Sequence, residues 1–334
     1  MLTIVIITIA IALVFDFLNG MNDAGNSIAT VVATKVLSPK VAVAWAAFFN
    51  FVAFLVFGVK VAKTIGKGVV DPSVIIGDPY FIVAALVAAC IWVYFCGQNG
   101  LPNSVSHALI GGLIGPALVK GGFHAVYFAG IAKILIFIVL APIIGFILGY
   151  FLMILTLLIW GKKPPTKVDK YYRVLQLLSS AAFSLGHGGN DAQKTMGIIA
   201  ILLFSTGYLG GEFYVPLWVV LSAHGAIALG TLTGAWKIIR TLGTKLTHLK
   251  PVGGFCAETA GALTLFGVTL AGIPVSTTHT ITGAVMGVGV TRRVSAVKWG
   301  VASNIVTAWI LTIPATIGLS TLIYWIFTLL HLSI

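Results

Sequence analysis

Long apolar runs separated by short polar segments extend along the whole chain. A helix needs about 20 residues to cross the hydrocarbon core of a bilayer, so several of these runs predict single transmembrane helices. The pattern predicts an all-α membrane protein built as a polytopic helical bundle. The runs are residues 2–18, 41–59, 80–97, 105–119, 123–160, 174–185, 196–208, 215–236, 252–272, 281–290 and 299–330.

Four runs do not have the length of one simple crossing. Residues 123–160 would form a helix of ~57 Å, so they are either two crossings broken near Pro142 or one long tilted helix. Residues 299–330, which also contain a central proline, raise the same question. Residues 105–119 and 281–290 are short, and each follows a proline. Short interrupted segments at matching positions of two halves indicate broken or re-entrant half-helices at the central site of a transporter.

The composition excludes a soluble fold. The chain of 334 residues is 59% hydrophobic and only 8% charged, whereas soluble domains carry roughly 25% charged residues. The formal net charge is +12, but the basic residues lie mostly between apolar runs, where they orient a membrane protein, so we expect no nucleic-acid partner. Cys90, Cys96 and Cys256 form no Cys-x-x-Cys pair, so we expect buried thiols, and we expect no cofactor.

The distribution of basic residues predicts the orientation. Residues 161–173 carry five Lys or Arg and a Pro-Pro pair, so they are predicted to form a cytoplasmic loop between a first repeat, 1–160, and a second repeat, 174–334. Neither terminus carries Lys or Arg, and the N-terminus is predicted to be a retained first span. Both termini would then lie on the outer side of the cell (inner) membrane. Each half would cross the membrane an odd number of times, so the two repeats would have inverted orientations.

Two motifs occur twice, in the same order. Residues 15–27 align with residues 183–195 at an offset of 168, and they share Gly-x-Asn-Asp-Ala. Residues 102–111 align with residues 274–283 at an offset of 172, and they share Pro-x-Ser-x-[Ser/Thr]-His-x-[Leu/Ile]-x-Gly. Two duplicated motifs at nearly equal offsets indicate an internal repeat.

The first motif places Asp23 and Asp191 between apolar runs, at membrane depth. A carboxylate there is costly, so it must face a cavity, a cation or a basic partner. Gly20 and Gly188 are predicted to break the helix and release backbone carbonyls, which together with a carboxylate suit Na⁺. The alternative is a buried polar cap in which an Asp pairs with Lys194 or with the backbone. Asn22 and Asn190, one residue before each Asp, are predicted to bind the substrate anion through their amides.

The second motif predicts two helix starts inside the membrane. Proline is favoured at a helix start, Ser and Thr serve as caps, and the free N–H groups of a helix N-terminus attract anions. Two such half-helices from opposed repeats could hold one tetrahedral anion from two sides. The alternative is ordinary capping with no ligand. The predicted anion-binding hydroxyls are those of Ser104, Ser106, Ser276, Thr277 and Thr278.

Further polar residues lie in or beside these motifs. His107 and His279 follow the helix starts and are structural residues or, alternatively, handle protons. Glu258 has Leu at its first-repeat position, and it is either an additional sodium ligand or a structural group. Asn26 is assigned to the sodium group. Lys194, its repeat mate, would either neutralise an Asp or steer the anion.

These motifs resemble those of the inorganic phosphate transporter (PiT) family, from Phe15 to about Gly289. The resemblance implies an inverted-repeat transporter that carries phosphate with Na⁺ or H⁺, often as a homodimer. It also implies that the two Asn-Asp pairs lie at the substrate and cation sites. The first copy departs from the commoner Gly-Ala-Asn-Asp-Val-Ala-Asn-Ala form, since it reads Gly20-Met-Asn-Asp-Ala-Gly-Asn-Ser27, and the second copy has Lys194. Some relatives of the family are assigned to sulfate.

We therefore expect a secondary transporter that imports phosphate with sodium ions. Phosphate at neutral pH retains a proton that an acceptor carboxylate can receive, whereas sulfate retains none. The alternatives are a proton-coupled phosphate or sulfate permease and, in other classes, an anion channel or an intramembrane hydrolase that uses Ser104 or Ser106 with His107. A Ser and a His so close together at a helix start are poorly placed as nucleophile and base, so we do not expect an enzyme.

Overall fold

The computed structural model describes residues 2–330, without the side chains of Lys67 and Pro72. The described residues form helices and connecting turns, with one isolated antiparallel bridge between Val70 and Val126 and no strand. The helices are α1 (Leu2–Ala33), α2 (Pro39–Val52), α3 (Lys60–Gly68), α4 (Pro79–Asn99), α5 (Val105–Gly121), α6 (Phe128–Trp160), α7 (Pro165–Ser205), α8 (Leu217–Thr233), α9 (Trp236–Arg240), α10 (Pro251–Leu270), α11 (Thr277–Val290) and α12 (Trp299–Leu329).

Six helical segments of the described chain are long and apolar enough to cross a membrane, and there are eight if two bent pairs are each counted as one span. The bent pairs are α2 with α3, at 85°, and α8 with the helical segment Trp236–Lys245, at 67°. They occupy corresponding places in the two halves of the chain. The prediction of a polytopic helical bundle with broken helices is confirmed.

The long apolar runs are single helices. Helix α6 has 33 residues with Pro142 inside it, and α12 has 31 residues with Pro314 inside it. The predicted loop at residues 161–173 is wrong for most of its length, because α7 begins at Pro165. The second proline of the Pro-Pro pair occupies the first helical turn, where a missing N–H costs nothing.

Two helical hairpins carry the second motif of each half. In the first hairpin, α4 and α5 are joined at their base by an ion pair between Lys120 and Asp78, at 3.0 Å. In the second, the start of α10 lies against the end of α11, where Gly253 faces the side chain of Val288. Each hairpin therefore has its turn, and the start of its second helix, at the end opposite its base.

Each hairpin packs against the last helix of the other half. Gly111 and Gly115 of α5 lie against Thr316 and Ser320 of α12, and the Ser320 hydroxyl donates to the Gly111 carbonyl at 3.4 Å. At the corresponding contact, Gly283 and Gly287 of α11 lie against the backbone of α6 at residues 142–146. Stripes of small residues let helix backbones approach closely within a membrane. The two halves are therefore interlocked.

The predicted breaks at Gly20 and Gly188 are wrong, because α1 and α7 run without interruption through the first motif. Both glycines instead allow close helix contact. A Cβ at Gly20 would collide with the backbone of Ile227 in α8, and a Cβ at Gly188 would collide with the backbone of Asn50 in α2. The carbonyls of these helices remain in helical hydrogen bonds, so the Asp side chains must supply the negative charge of the site.

Candidate substrate and ion site

The starts of α5 and α11 meet at the centre of the molecule. The Ser106 hydroxyl donates to the carbonyl of Val275 at 3.0 Å, and the rings of His107 and His279 lie 4.7 Å apart, edge to face. Ser104 and Ser276 are N-caps that accept from the backbone N–H groups of these two histidines, at 3.2 Å and 3.3 Å. The predicted pair of opposed helix starts is confirmed, and both starts are buried.

Asp23 contacts the start of α11. Its carboxylate accepts from the hydroxyls of Thr277 and Thr278, at 3.0 Å and 3.3 Å. The Asn26 amide, one helical turn further along α1, donates to the Thr278 hydroxyl at 2.9 Å. The first motif of one half therefore meets the second motif of the other half, as the interlocked packing requires.

Asp191 is linked to the start of α5 through Lys194. The Lys194 ammonium donates to the Asp191 carboxylate at 2.6 Å, to the Ser106 hydroxyl at 2.5 Å and to the Val275 carbonyl at 3.0 Å. Lys194 is fully buried. Of the alternatives for Lys194, the structure favours neutralisation of an Asp, and it shows that the partner is Asp191.

His187 joins the two carboxylates. Its Nε2 atom lies 3.7 Å from the Asp23 carboxylate and 3.8 Å from the Asp191 carboxylate. Ligand atoms of these three residues all lie within 4.8 Å of one another, which is close enough to share one cation. The other ring nitrogen lies 3.0 Å from the Asn50 side-chain oxygen. If Asn50 accepts from Nδ1, then Nε2 has a lone pair directed at the space between the carboxylates.

Sequence comparison of the halves did not identify His187, because its repeat mate is Asn19. The same is true of Asp16, which lies in α1 and whose repeat mate is Ser184. Asp16 is fully buried and accepts from the Asn19 amide at 3.5 Å. The signal that could have found both residues is helical spacing. Asp16, Asn19 and Asp23 recur every three or four residues on one face of α1, and His187, Asp191 and Lys194 do so on α7.

Asn22 and Asn190 hold the hairpins through their amide groups. The Asn22 amide donates to the Val93 carbonyl of α4 at 2.9 Å. The Asn190 amide donates to the Thr269 hydroxyl at 2.9 Å and to the Ile273 carbonyl at 3.2 Å, both on the second hairpin. These contacts position the hairpin turns beside the Asp residues. Anion binding by the two Asn side chains stays a prediction.

Glu258 lies apart from the carboxylate pair. Thr30 and Ser179 donate their hydroxyls to it, each at 2.5 Å, and the Gln176 amide donates at 3.0 Å. Thr30 is seven residues beyond Asp23 on α1, about 10 Å along the helix. Glu258 is fully buried, and no basic side chain forms an ion pair with it among the residues described. The structure does not bring it into the predicted sodium group of Asp23, Asp191 and Asn26.

The two histidines of the second motif have different surroundings. His279 stacks on Trp309 of α12 at 3.6 Å, and its Nδ1 lies 3.3 Å from the Ile138 carbonyl of α6. His107 lies edge-on to His279. Both are buried. The stacking favours the structural interpretation, because it fixes His279 between the last helices of the two halves.

A cavity of about 830 Å³ lies where α1, α6, α7 and α10 meet. Its wall includes Thr34, whose hydroxyl donates at 2.8 Å to the Gln176 oxygen, next to Glu258. The basic residues that line it are Lys35, Lys163, Arg173, His248, Lys250 and Arg292, with Asp169 as the acidic one. This concentration of positive charge is typical of a cytoplasmic surface.

The repeated helices, opposed helix starts and buried carboxylates define a multi-pass membrane transporter. The family model described as the phosphate transporter family matches residues 19–167 and 159–320. The chain belongs to this family, whose members are transporters and not enzymes. The double match agrees with the two repeats found in the sequence.

Individual relatives match over nearly the full chain. A "Probable low-affinity inorganic phosphate transporter" of Rhizobium meliloti (strain 1021) is 57% identical, over 95% of this chain and 94% of the relative. A protein of the same description in Bacillus subtilis (strain 168) is 40% identical, over 99% of each chain. A solved structure described as "The sodium-dependent phosphate transporter" is 27% identical, with a TM-score of 0.90 over 98% of this chain and 99% of that one.

Proposed function

We propose that the chain carries inorganic phosphate across the membrane in symport with sodium ions. The observation that carries the proposal is the meeting of two helix N-termini with two carboxylates and one imidazole at the centre of the fold. Helix N-termini bind phosphate through free N–H groups and the helix dipole. Carboxylates beside them bind the cations that cancel the charge of the anion. Family membership and the descriptions of the relatives support phosphate as the substrate.

Phosphate would be held between the starts of α5 and α11. The hydroxyls of Ser104, Ser106, Ser276, Thr277 and Thr278 lie there, beside the first backbone N–H groups. Ser106 donates its hydroxyl hydrogen to the Val275 carbonyl, and Thr277 and Thr278 donate theirs to Asp23, so these three hydroxyls would turn toward the anion when it binds. The carboxylate of Asp23 lies 3.0 Å from the Thr277 hydroxyl, so an anion bound at this start would have a proton acceptor nearby. This arrangement favours phosphate, which retains a proton, over sulfate.

Sodium would bind beside the carboxylates, with Asp23 and Asn26 as ligands and with His187 between the two Asp side chains. Asp191, the other predicted ligand, is paired with Lys194 in this structure. The sodium dependence stated for the matched solved structure supports sodium as the coupling ion. Proton coupling is the second candidate, and the observation that favours it is Glu258, a buried carboxyl with no ion pair among the described residues. A buried carboxyl without a basic partner can take up and release a proton during transport.

Movement of the substrate would follow alternating access between two inverted repeats in the cell (inner) membrane, with both termini outside. The interlocked hairpins support this mechanism, because each half contributes to both sides of the site. The resemblance to the family supports a homodimer. Cross-linking of the purified protein in nanodiscs would measure its oligomeric state, and a species with the mass of one chain would contradict the dimer.

The test is uptake of labelled phosphate into proteoliposomes with an inward sodium gradient, an inward proton gradient or neither. Unlabelled sulfate is added as a competitor, and Asp23→Asn and Asp191→Asn are measured in parallel. We expect uptake that requires sodium, resists sulfate and is lost in both variants. Uptake driven by protons in the absence of sodium would overturn the coupling ion, and inhibition by sulfate would overturn the selectivity.

A further inference from the structure

Lys194 has the surroundings of a bound cation. Its ammonium group is fully buried and donates to three oxygens: a carboxylate oxygen of Asp191, the hydroxyl of Ser106 and the carbonyl of Val275. An ammonium has three hydrogens, and the three contacts account for all of them. Carboxylate, hydroxyl and carbonyl oxygens are also the ligands that hard metal cations take in proteins.

The first repeat contains the corresponding group of oxygens without a lysine. Asp23 is the mate of Asp191, Asn26 is the mate of Lys194, and Thr278 is the mate of Ser106. Asn26 is neutral and donates its amide to the Thr278 hydroxyl, while its side-chain oxygen has no hydrogen-bond partner among the described residues. That half of the site therefore has a carboxylate and neutral oxygens, and it contains no positive side chain of its own.

The two halves differ in charge rather than in architecture. Asp191 forms an ion pair with Lys194 at 2.6 Å, whereas Asp23 is bonded to threonine hydroxyls. His187 contacts both carboxylates at nearly equal distances, so it does not create the difference. A mobile cation at Asp191 would have to displace a covalently attached ammonium that already uses the same oxygens.

We propose that the Lys194 ammonium permanently fills one of two repeat-related cation positions, leaving Asp23 as the position that an exchangeable cation can occupy. The inference rests on the proposed cation-coupled transport. The attached charge contributes to balancing the anion in every cycle, so fewer sodium ions accompany each phosphate than a fully symmetric pair of sites would carry. Replacement of Lys194 by its repeat mate would restore the second position.

The experiment compares Lys194→Asn with the native protein in proteoliposomes, with labelled sodium and labelled phosphate measured together. We expect Lys194→Asn to carry about one more sodium ion per phosphate than the native protein. Its uptake should also depend more steeply on sodium concentration. Lys170→Asn, the same change at an exposed lysine of α7, is the matched control and should leave the ratio unchanged. Uptake by Lys194→Asn with the native ratio would overturn the inference.

A second measurement keeps the test decisive if Lys194→Asn transports poorly. A ligand that binds only the folded state raises its unfolding temperature. Sodium chloride, compared with potassium chloride, should therefore raise the unfolding temperature of Lys194→Asn in detergent more than that of the native protein. Lys194→Met, which supplies no oxygen ligand, should show no such gain. A Lys194→Asn protein that gains neither sodium flux nor sodium stabilisation contradicts the inference.

Failure of the Lys194 assignment can be distinguished from failure of the proposed sodium symport. Sodium-independent phosphate uptake by the native protein would overturn sodium symport, while the gain of a sodium ion by Lys194→Asn would still support the assignment of Lys194. Sodium-coupled uptake by the native protein with no gain in Lys194→Asn would support the symport and overturn the assignment.

Discussion

Asp23 and Asp191 belong to different repeats, yet both carboxylates face the same imidazole ring, that of His187. Two carboxylates so close together repel one another unless positive charge lies between them. Lys194 supplies one such charge on the side of Asp191. The remaining negative charge, on the side of Asp23, is the feature that a coupling cation would neutralise.

His187→Phe should weaken sodium coupling, because it replaces the nitrogen between the carboxylates with an apolar edge. We expect the sodium concentration for half-maximal uptake to rise on the order of tenfold, the effect typical of losing a group that tunes a cation site. His124→Phe, at an exposed position outside the bundle, is the control. Unchanged sodium dependence in His187→Phe would remove His187 from the ion site.

The residues of the two motifs could be found from the sequence because they repeat, and the residues that break the repeat could not. Asn-Asp pairs and Ser/Thr helix starts were correctly placed at the centre. His187 and Asp16 were missed because their repeat mates, Asn19 and Ser184, are different residues. Glu258 was grouped with the ion ligands because an intramembrane carboxylate resembles any other until its distance from them is known.

Among the single elements, α1 and α7 are the helices whose structure differs most from the prediction made from the sequence. A glycine inside a helix either breaks it or lets another helix approach, and only the neighbouring backbone decides between the two. At Gly188 that neighbour is Asn50 of α2, whose backbone would collide with an added Cβ. The polar motif therefore lies where the sequence predicts it, but its backbone is a continuous helix and not a broken one.

Gly188→Ala should destabilise the protein by about 1–3 kcal/mol, the usual cost of forcing extra atoms into a packed contact. Gly225→Ala in α8 is the matched control, since a Cβ there meets nothing within 4 Å, and it should be neutral or stabilising. Thermal unfolding in detergent measures both variants. Equal unfolding temperatures for the two variants would contradict the close contact between α7 and α2.

The N-termini of α5 and α11 can be tested separately from the packing of α1 and α7. Ser104→Ala and Ser276→Ala each remove an N-cap hydroxyl, which should cost about 1 kcal/mol of stability. If the same hydroxyls donate to phosphate, the concentration for half-maximal uptake should also rise on the order of tenfold. Ser222→Ala, which removes a hydroxyl bonded within α8, is the control. Loss of stability with unchanged phosphate dependence would limit these serines to capping.

Across the whole molecule, each half packs a hairpin helix against the last helix of the other half, since α5 packs on α12 and α11 packs on α6. The sequence predicted two repeats and a central site, but it did not reveal this packing. Stripes of small residues identify a surface that approaches another helix closely, and they do not say which helix that is. This packing brings the first motif of each half to the second motif of the other.

The inverted orientation of the halves can be tested by labelling from one side of the membrane. In a protein whose three cysteines are replaced, Thr3→Cys at the start of α1 and Thr166→Cys at the start of α7 are exposed positions. An impermeant maleimide should label Thr3→Cys from outside the cell and Thr166→Cys from inside. Labelling of both positions from the same side would contradict the inverted repeats.

Phosphate binding between the starts of α5 and α11 is central to the proposed transport. The most direct measurement is a crystal structure with arsenate, an isostere of phosphate, located by the anomalous scattering of arsenic. We predict one strong peak within hydrogen-bond distance of the hydroxyls of Ser106 and Thr277. A peak confined to the basic cavity lined by Arg173, Lys250 and Arg292, with none between the helix starts, would contradict this binding site.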